Sequence, residues 1–134
     1  MKNPGTNTRT PSRSRQLRGQ NAYLSGIAAE KIVAQAYRNI GACLLEKRWR
    51  GRGGEIDMIL RHGQEIVFCE VKKARSFDEA IARLSPDQMR RIHHAASEYL
   101  GQLPSGQLSD VRFDLAVVDE GGQGKIMQSA FSHF

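Results

Sequence analysis

The sequence predicts one α/β domain with the element order helix, three strands, helix, then one or two further strands. Three observations predict it. Apolar residues recur at three- and four-residue steps near 20–39 and again near 86–100, the period of a helix with one buried face. Residues 55–61 and 65–72 are short runs rich in Ile, Val, Met and Phe, separated by a Gly-containing turn, as in a hairpin. A strongly apolar run, Val111 to Val118, follows the second helical segment. The length of 134 residues fits one domain and is short for two.

Each element has its own local warrant. In the first helix, Gln20 to Asn39, Leu24, Ile27, Ala28, Ile32 and Ala36 carry the apolar stripe, and Gly41 ends it. Ala42 to Trp49 reads as the first strand, followed by a loop with Gly51, Gly53 and Gly54. Glu55 to Arg61 and Glu65 to Lys72 are the second and third strands. The intervening Gly63-Gln64 places glycine at the first central position, as a type II′ turn requires. A short helical piece is expected near Phe77 to Arg83. Ser85-Pro86-Asp87-Gln88 opens the second main helix: Ser85 can cap, Pro86 suits the first helical position, and Gln88 completes a capping box. Met89, Ile92, Ala96 and Leu100 mark its buried side, and Gly101 its end. Val111 to Val118 is the fourth strand, and Lys125 to Phe131 a short edge strand after the turn at Gly121 to Gly124.

Charge is unevenly placed along the chain. The formal net charge is +6, but Lys2, Arg9, Arg13, Arg15 and Arg18 stand in residues 1–18 with no acid among them. The 20 Lys and Arg less these five leave 15, against 14 acids in residues 19–134. The expectation is a disordered basic tail over 1–18 and a nearly neutral single domain over 19–134. Attraction for phosphate must then come from the tail or from local clustering. No run approaches the roughly 20 apolar residues of a bilayer-crossing helix. The basic N-terminus lacks the apolar segment of a secretory signal. Cys43 and Cys69 have no metal-site spacing and read as free buried thiols of a cytoplasmic protein, with one disulfide between them as the alternative.

The candidate site follows from strand geometry. Side chains alternate faces with period two, so Glu55, Asp57 and Ile59 share one face of the second strand, and Ile56, Met58 and Leu60 the other. Phe68, Glu70 and Lys72 share a face of the third strand. A two-residue turn at Gly63-Gln64 pairs residues whose numbers sum to 127, setting Asp57 opposite Glu70, about 5 Å apart at Cβ. Two carboxylates in that position raise each other's energy unless a cation or proton offsets them. Lys72 supplies part of the offset, and a divalent cation would supply more. Oxygen ligands favour Mg²⁺ or Mn²⁺, and the Val71 carbonyl could add a ligand. Such a set polarises a phosphate, and an ammonium beside it stabilises the developing charge. The alternative is a structural salt-bridge cluster on an exposed sheet face. Glu55 either joins the ligands or holds a nearby arginine.

These residues carry a resemblance. Gly54-Glu55-Ile56-Asp57-Met58-Ile59, followed by Val67-Phe68-Cys69-Glu70-Val71-Lys72, resembles the YraN-like family of small bacterial proteins. That family is similar to the restriction-endonuclease-like, PD-(D/E)xK nuclease superfamily and to archaeal Holliday-junction resolvases. The resemblance, over about 19–119, implies an α-β-β-β-α-β core with a mixed central sheet flanked by helices. It assigns Asp57 to the first acidic position and Glu70-Val71-Lys72 to the (D/E)xK element. Gly26-Ile27-Ala28-Ala29-Glu30 resembles the family's G-x-x-A-E segment and makes Glu30 a helix-borne carboxylate beside them. Arg112-Phe113-Asp114 resembles its late R-F-D segment. The chain departs from the family in having Lys72-Lys73-Ala74-Arg75 where K-T-R is usual, and Gln88 to Arg91 where a lysine is usual.

The implied activity is Mg²⁺- or Mn²⁺-dependent endonucleolytic hydrolysis of nucleic acid, in the first place branched or damaged DNA. The alternative is a nucleic-acid-binding module of the same fold without catalysis. Arg48, Arg50, Arg52, Lys73, Arg75, Arg90 and Arg91 are the phosphate-contact candidates. Alternation could gather Arg48, Arg50 and Arg52, with Trp49 in the core. Asp114 reads as structural, and His93 and His94 as surface or interface residues. Apolar residues on the second main helix could pack against a second copy to form a homodimer.

Overall fold

The computed structural model describes residues 25–105 and 109–131; the tail expected over 1–18 lies outside them. Helix α1 occupies residues 25–39. It is followed by β1 (Cys43–Arg50), β2 (Glu55–His62), β3 (Glu65–Lys73), α2 (Phe77–Ala82), α3 (Pro86–Leu100), β4 (Asp110–Val118) and β5 (Gly124–Met127). The strands form one mixed sheet in the order β1-β2-β3-β4-β5. The β1–β2, β2–β3 and β4–β5 pairs are antiparallel and the β3–β4 pair is parallel. A parallel neighbour requires a crossover, and α2 and α3 supply it. This is the restriction-endonuclease-like arrangement, with helices on both faces of the sheet.

The two faces bury different halves of the hairpin. Val33 and Tyr37 of α1 pack on Met58, Leu60, Val67 and Cys69. Ile92, Ala96 and Tyr99 of α3 pack on Ile59, Ile66, Phe68 and Phe113. Side chains of this size contribute roughly 1.5–3 kcal/mol each when fully buried. The hairpin register is as expected, with Met58 paired to Cys69 and His62 to Glu65. Gly63 has φ +61°, while Gln64 keeps a negative φ, the signature of type II′. Gly41, at φ +88°, ends α1 as a left-handed cap.

Several local expectations are corrected. Ile56 joins the α3-side cluster together with Ile59, so the alternation expected for Ile56, Met58 and Leu60 slips at Asp57. Ser85 does cap α3 by accepting from the Gln88 amide at 3.1 Å, but the Gln88 side chain does not reach back to it. The last strand stops at Met127 rather than Phe131. Ser129 turns left-handed at φ +53°, and the Ala130 amide folds back to the Phe113 carbonyl at 2.8 Å. Cys43 is exposed and Cys69 buried, and both are free. No helix among the described residues is long and apolar enough to cross a membrane.

Candidate active site

Asp57 and Glu70 meet where the β2–β3 ladder ends. The last backbone pair is Met58 with Cys69, and beyond it the Asp57 carboxylate itself takes the Val71 amide at 2.8 Å. A side chain has replaced a ladder bond, which fixes Asp57 against the strand that carries Glu70. Glu70 is buried, at 6% exposure, and lies within hydrogen-bonding reach of Asp57. Burial first, and the Asp57 carboxylate second, push its pKa up to about 8, with Lys72 pulling the other way. The Lys72 Nζ stands 3.3 Å from Glu70 Oε2.

Gln88 closes the group from α3. Its Nε2 donates to Glu70 Oε2 at 2.5 Å, and its Oε1 accepts from Lys72 Nζ at 3.4 Å. One carboxamide therefore aligns the acid and the base. The sequence suggested a capping role for Gln88, because position N3 of a helix opened by serine has that use. Only the packing of α3 against β3 reveals the other. Lys72 pairs with Glu70, while the Asp57 carboxylate raises the energy of the ionised Glu70, and a divalent cation would suit that pair of acids.

Glu30 is placed differently. Its carboxylate is held by Arg48 Nε at 3.0 and 3.2 Å. Among the described residues, no group of three or more His, Cys, Asp or Glu side chains is gathered as metal ligands. The residues that could hold a cation are thus Asp57 and Glu70, with Glu30 engaged by its arginine. Arg48 has φ +51°, a left-handed conformation uncommon for a residue with a Cβ. It lies between Lys47 and Trp49, which pair with Met58 and Ile56, so Arg48 stands across from Asp57.

The three arginines near Trp49 do not bond alike. Arg48 is on Glu30, Arg50 pairs with Glu55 at 2.9 Å, and the Arg52 amide donates to Glu98 at 3.0 Å. Glu55 therefore takes the arginine-holding role. Arg75 pairs with Glu79, and Arg90 with Asp87. Trp49, partly buried, packs edge-on against Tyr99 at 5.4 Å, at the margin of the α3-side core. His93 stacks on Phe113 at 4.0 Å, a packing role that adjacency in sequence does not show. Glu98, which no motif singles out, also accepts from the Gly53 amide at 2.8 Å. The glycines beneath it are required by close approach. A Cβ on Gly51 would strike Glu98 and Trp49, and one on Gly53 the His94 ring.

A second polar cluster lies under α1. Asp114 is fully buried and takes four donors. Arg112 Nε and the Ser129 amide reach Oδ1 at 2.9 and 3.0 Å; the Tyr37 hydroxyl and Arg112 Nη2 reach Oδ2 at 2.7 and 3.1 Å. Arg112 also donates to Glu65 and to His62 Nδ1, each at 3.0 Å. Because arginine has only donors, His62 Nδ1 accepts and its Nε2–H donates to the Ile40 carbonyl at 3.1 Å. Burial raises the Tyr37 and Cys69 pKa values far beyond neutrality, so both stay protonated. Asp114 is structural, as its sequence context suggested.

Fold and site together define a nuclease-like α/β domain with one acid on β2 and an acid-x-lysine element on β3. Residues 29–118 match the model of the uncharacterised protein family UPF0102, and the chain belongs to that family. It is 48% identical over 116 residues to a UPF0102 protein of Ruegeria pomeroyi, covering 87% of this chain and 94% of that protein. A UPF0102 protein of Cereibacter sphaeroides is 47% identical over 116 residues, covering 87% and 99%. One of Dinoroseobacter shibae is 47% identical over 116 residues, covering 87% of each.

Proposed function

We propose that this protein is a Mg²⁺- or Mn²⁺-dependent endonuclease acting on nucleic acid, with branched or damaged DNA as the first substrates to test. The observation that carries the reading is the under-compensated group of Asp57, Glu70 and Lys72. Burial and repulsion from Asp57 drive Glu70 to hold a proton up to about pH 8, where a divalent cation could stand instead. A purely structural cluster gains nothing from that repulsion, whereas a cation site needs it. Asp57 and Glu70 would hold the cation, with the Val71 carbonyl as a further oxygen. Glu30 would join when Arg48 turns to a phosphate. When bound, the cation supplies Lewis acidity at the phosphate and a lowered pKa for water. Lys72 orients the attacking water and stabilises charge developing on the phosphate oxygens. Gln88 holds Glu70 and Lys72 in register. The partner would be DNA, and the location cytoplasmic.

The test is incubation with labelled linear, flapped and four-way DNA, with and without Mn²⁺. Metal-dependent cleavage is expected, and Lys72→Ala should slow it by at least a hundredfold, the scale of losing one charge-stabilising group. Equal cutting by an Asp57→Asn/Lys72→Ala double variant would end the proposal. A second reading, a binding module without catalysis, is favoured by one observation: Glu30 is spent on Arg48 rather than gathered with the other two acids. Salt-dependent DNA binding with no cleavage in any metal would select it.

A further inference from the structure

The arginines that stand out in the sequence are largely neutralised. Arg48, Arg50, Arg75 and Arg90 each pair with a carboxylate. Across α1 and β1 the situation is the reverse. A cleft of about 580 Å³ runs between them, and its polar lining is Glu30, Lys31, Gln35, Arg38, Lys47 and Arg48. Lys31, Arg38 and Lys47 are exposed. Among the described residues none of the three is ion-paired, and Arg38 reaches only the Gln35 amide oxygen, at 2.7 Å. With Arg48 and Glu30 offsetting each other, the cleft keeps three uncompensated positive charges.

The backbone of β1 is bent to produce this. Adjacent strand residues point to opposite faces, yet Lys47 and Arg48 both line the cleft. A register shift between Leu44 and Glu46, and the left-handed Arg48, supply the departure. Glu46 is on the other side, where it acts on Tyr99 of the α3-packed cluster. Bulges and left-handed side-chain-bearing residues cost stability and tend to persist where they re-aim a functional group. Here they remove an acid from the cleft and put two cations in it.

We infer that this cleft is a phosphate track, in which Lys31, Arg38 and Lys47 bind the backbone of a nucleic-acid strand and lead it to the Asp57–Glu70 pair. This rests on the nucleic-acid reading above and assigns the face on which the strand lies. The distance from Lys31 to Arg38, seven helical residues, is about 10 Å along α1. Each strand of a duplex carries one phosphate per about 3.4 Å of helix axis, and the spacing along the winding strand is longer, so the track meets about three phosphates at most. The Arg48–Glu30 pair lines the same cleft, and Arg48 is across from Asp57 in the β1–β2 register.

The experiment measures binding of a fluorescein-labelled duplex by anisotropy, in EDTA so that nothing is cut, over a KCl series. The Lys31→Ala/Lys47→Ala variant is compared with Arg61→Ala/Lys125→Ala, which removes equal charge from exposed positions outside the cleft. Among the described residues Lys31 and Lys47 have no ion pair or hydrogen bond to lose, so folding should be unaffected. The cleft variant should reduce the slope of log K against log salt by about two, at roughly 0.9 per phosphate contact, and the control by much less. Equal slopes in both variants overturn the inference while leaving metal-dependent cleavage by the wild type to stand. A cleft variant that turns a dimer into a monomer on a sizing column, with its slope unchanged, overturns it in favour of a second copy. A wild type with no salt-sensitive binding overturns it together with the nucleic-acid reading.

Discussion

Among the described residues two polar clusters hold a buried carboxylate, and they differ in how its charge is met. Under α1, the Asp114 carboxylate has two donors on each oxygen, and its arginine has a second acid in Glu65. Every group there is answered. At the end of the β2–β3 ladder, Glu70 holds Lys72 but is buried beside a second carboxylate, Asp57, and its pKa is pushed up to about 8. Both clusters would register as acid-and-base patches in a sequence. The balanced one is consistent with holding the sheet to α1. The unbalanced one costs stability as it stands and is consistent with a site whose missing component is a cation.

The sharpest way to break the contrast is to remove one acid from each cluster. Asp114→Ala leaves Arg112 and Tyr37 buried without their acceptor and should cost about 3–5 kcal/mol, the range for breaking a buried pair. Urea unfolding measures it, and a loss under about 1 kcal/mol would deny the cluster its structural role. Asp57→Asn should act in the opposite direction. Asparagine still offers an oxygen to the Val71 amide and removes the like charge, so stability should rise by about 0.5–2 kcal/mol while cleavage is lost, the usual trade at a functional site. A clear destabilisation would make Asp57 a structural residue like Asp114.

The pH dependence sharpens the same comparison. Glu70 rises from its ordinary value of 4.5 to about 8 in the fold, so the folded state holds a proton that the unfolded chain gives up. A raised group contributes stability that is complete below the unfolded value and is lost as pH rises through the folded one. Between about pH 4.5 and 8 the metal-free protein should therefore lose stability with rising pH. Glu70→Gln should remove that part of the slope, and saturating Mn²⁺ should flatten it, because a cation favours the ionised carboxylate. Thermal melts across this window decide the matter; identical profiles for wild type and Glu70→Gln would refute it.

What could be read from the sequence were the parts governed by local rules. Gly63 fixes the hairpin turn, the turn fixes the register, and the register puts Asp57 beside Glu70. Ser85-Pro86 fixes the start of α3. What could not be read depends on contacts between distant elements. Gln88 follows the local rule for a cap and yet spends its side chain on β3, because α3 packs there. Alternation places Arg48 with Arg50 and Arg52; the left-handed backbone at Arg48 and its bond to Glu30 set it apart, and neither has a composition signal. Glu98 falls on the helix face above the glycine loop only once α3 has docked.

The smallest expected effect tests that docking. Glu98 accepts the Arg52 and Gly53 amides, and these two bonds hold its pKa below the ordinary carboxylate range. A lowered group contributes stability that is present above the unfolded value and lost as pH falls through the folded one. The loop should stay fastened through mild acid and loosen only below the usual carboxylate range. Glu98→Gln keeps one acceptor oxygen but loses the charge, and charged acceptors bind amides about twice as strongly as neutral ones. Hydrogen exchange at the Arg52 and Gly53 amides should accelerate severalfold at neutral pH, with little change in the global unfolding midpoint. If exchange there is unchanged, the glycine loop is held by its packing on Trp49 and His94, and the carboxylate is incidental to it.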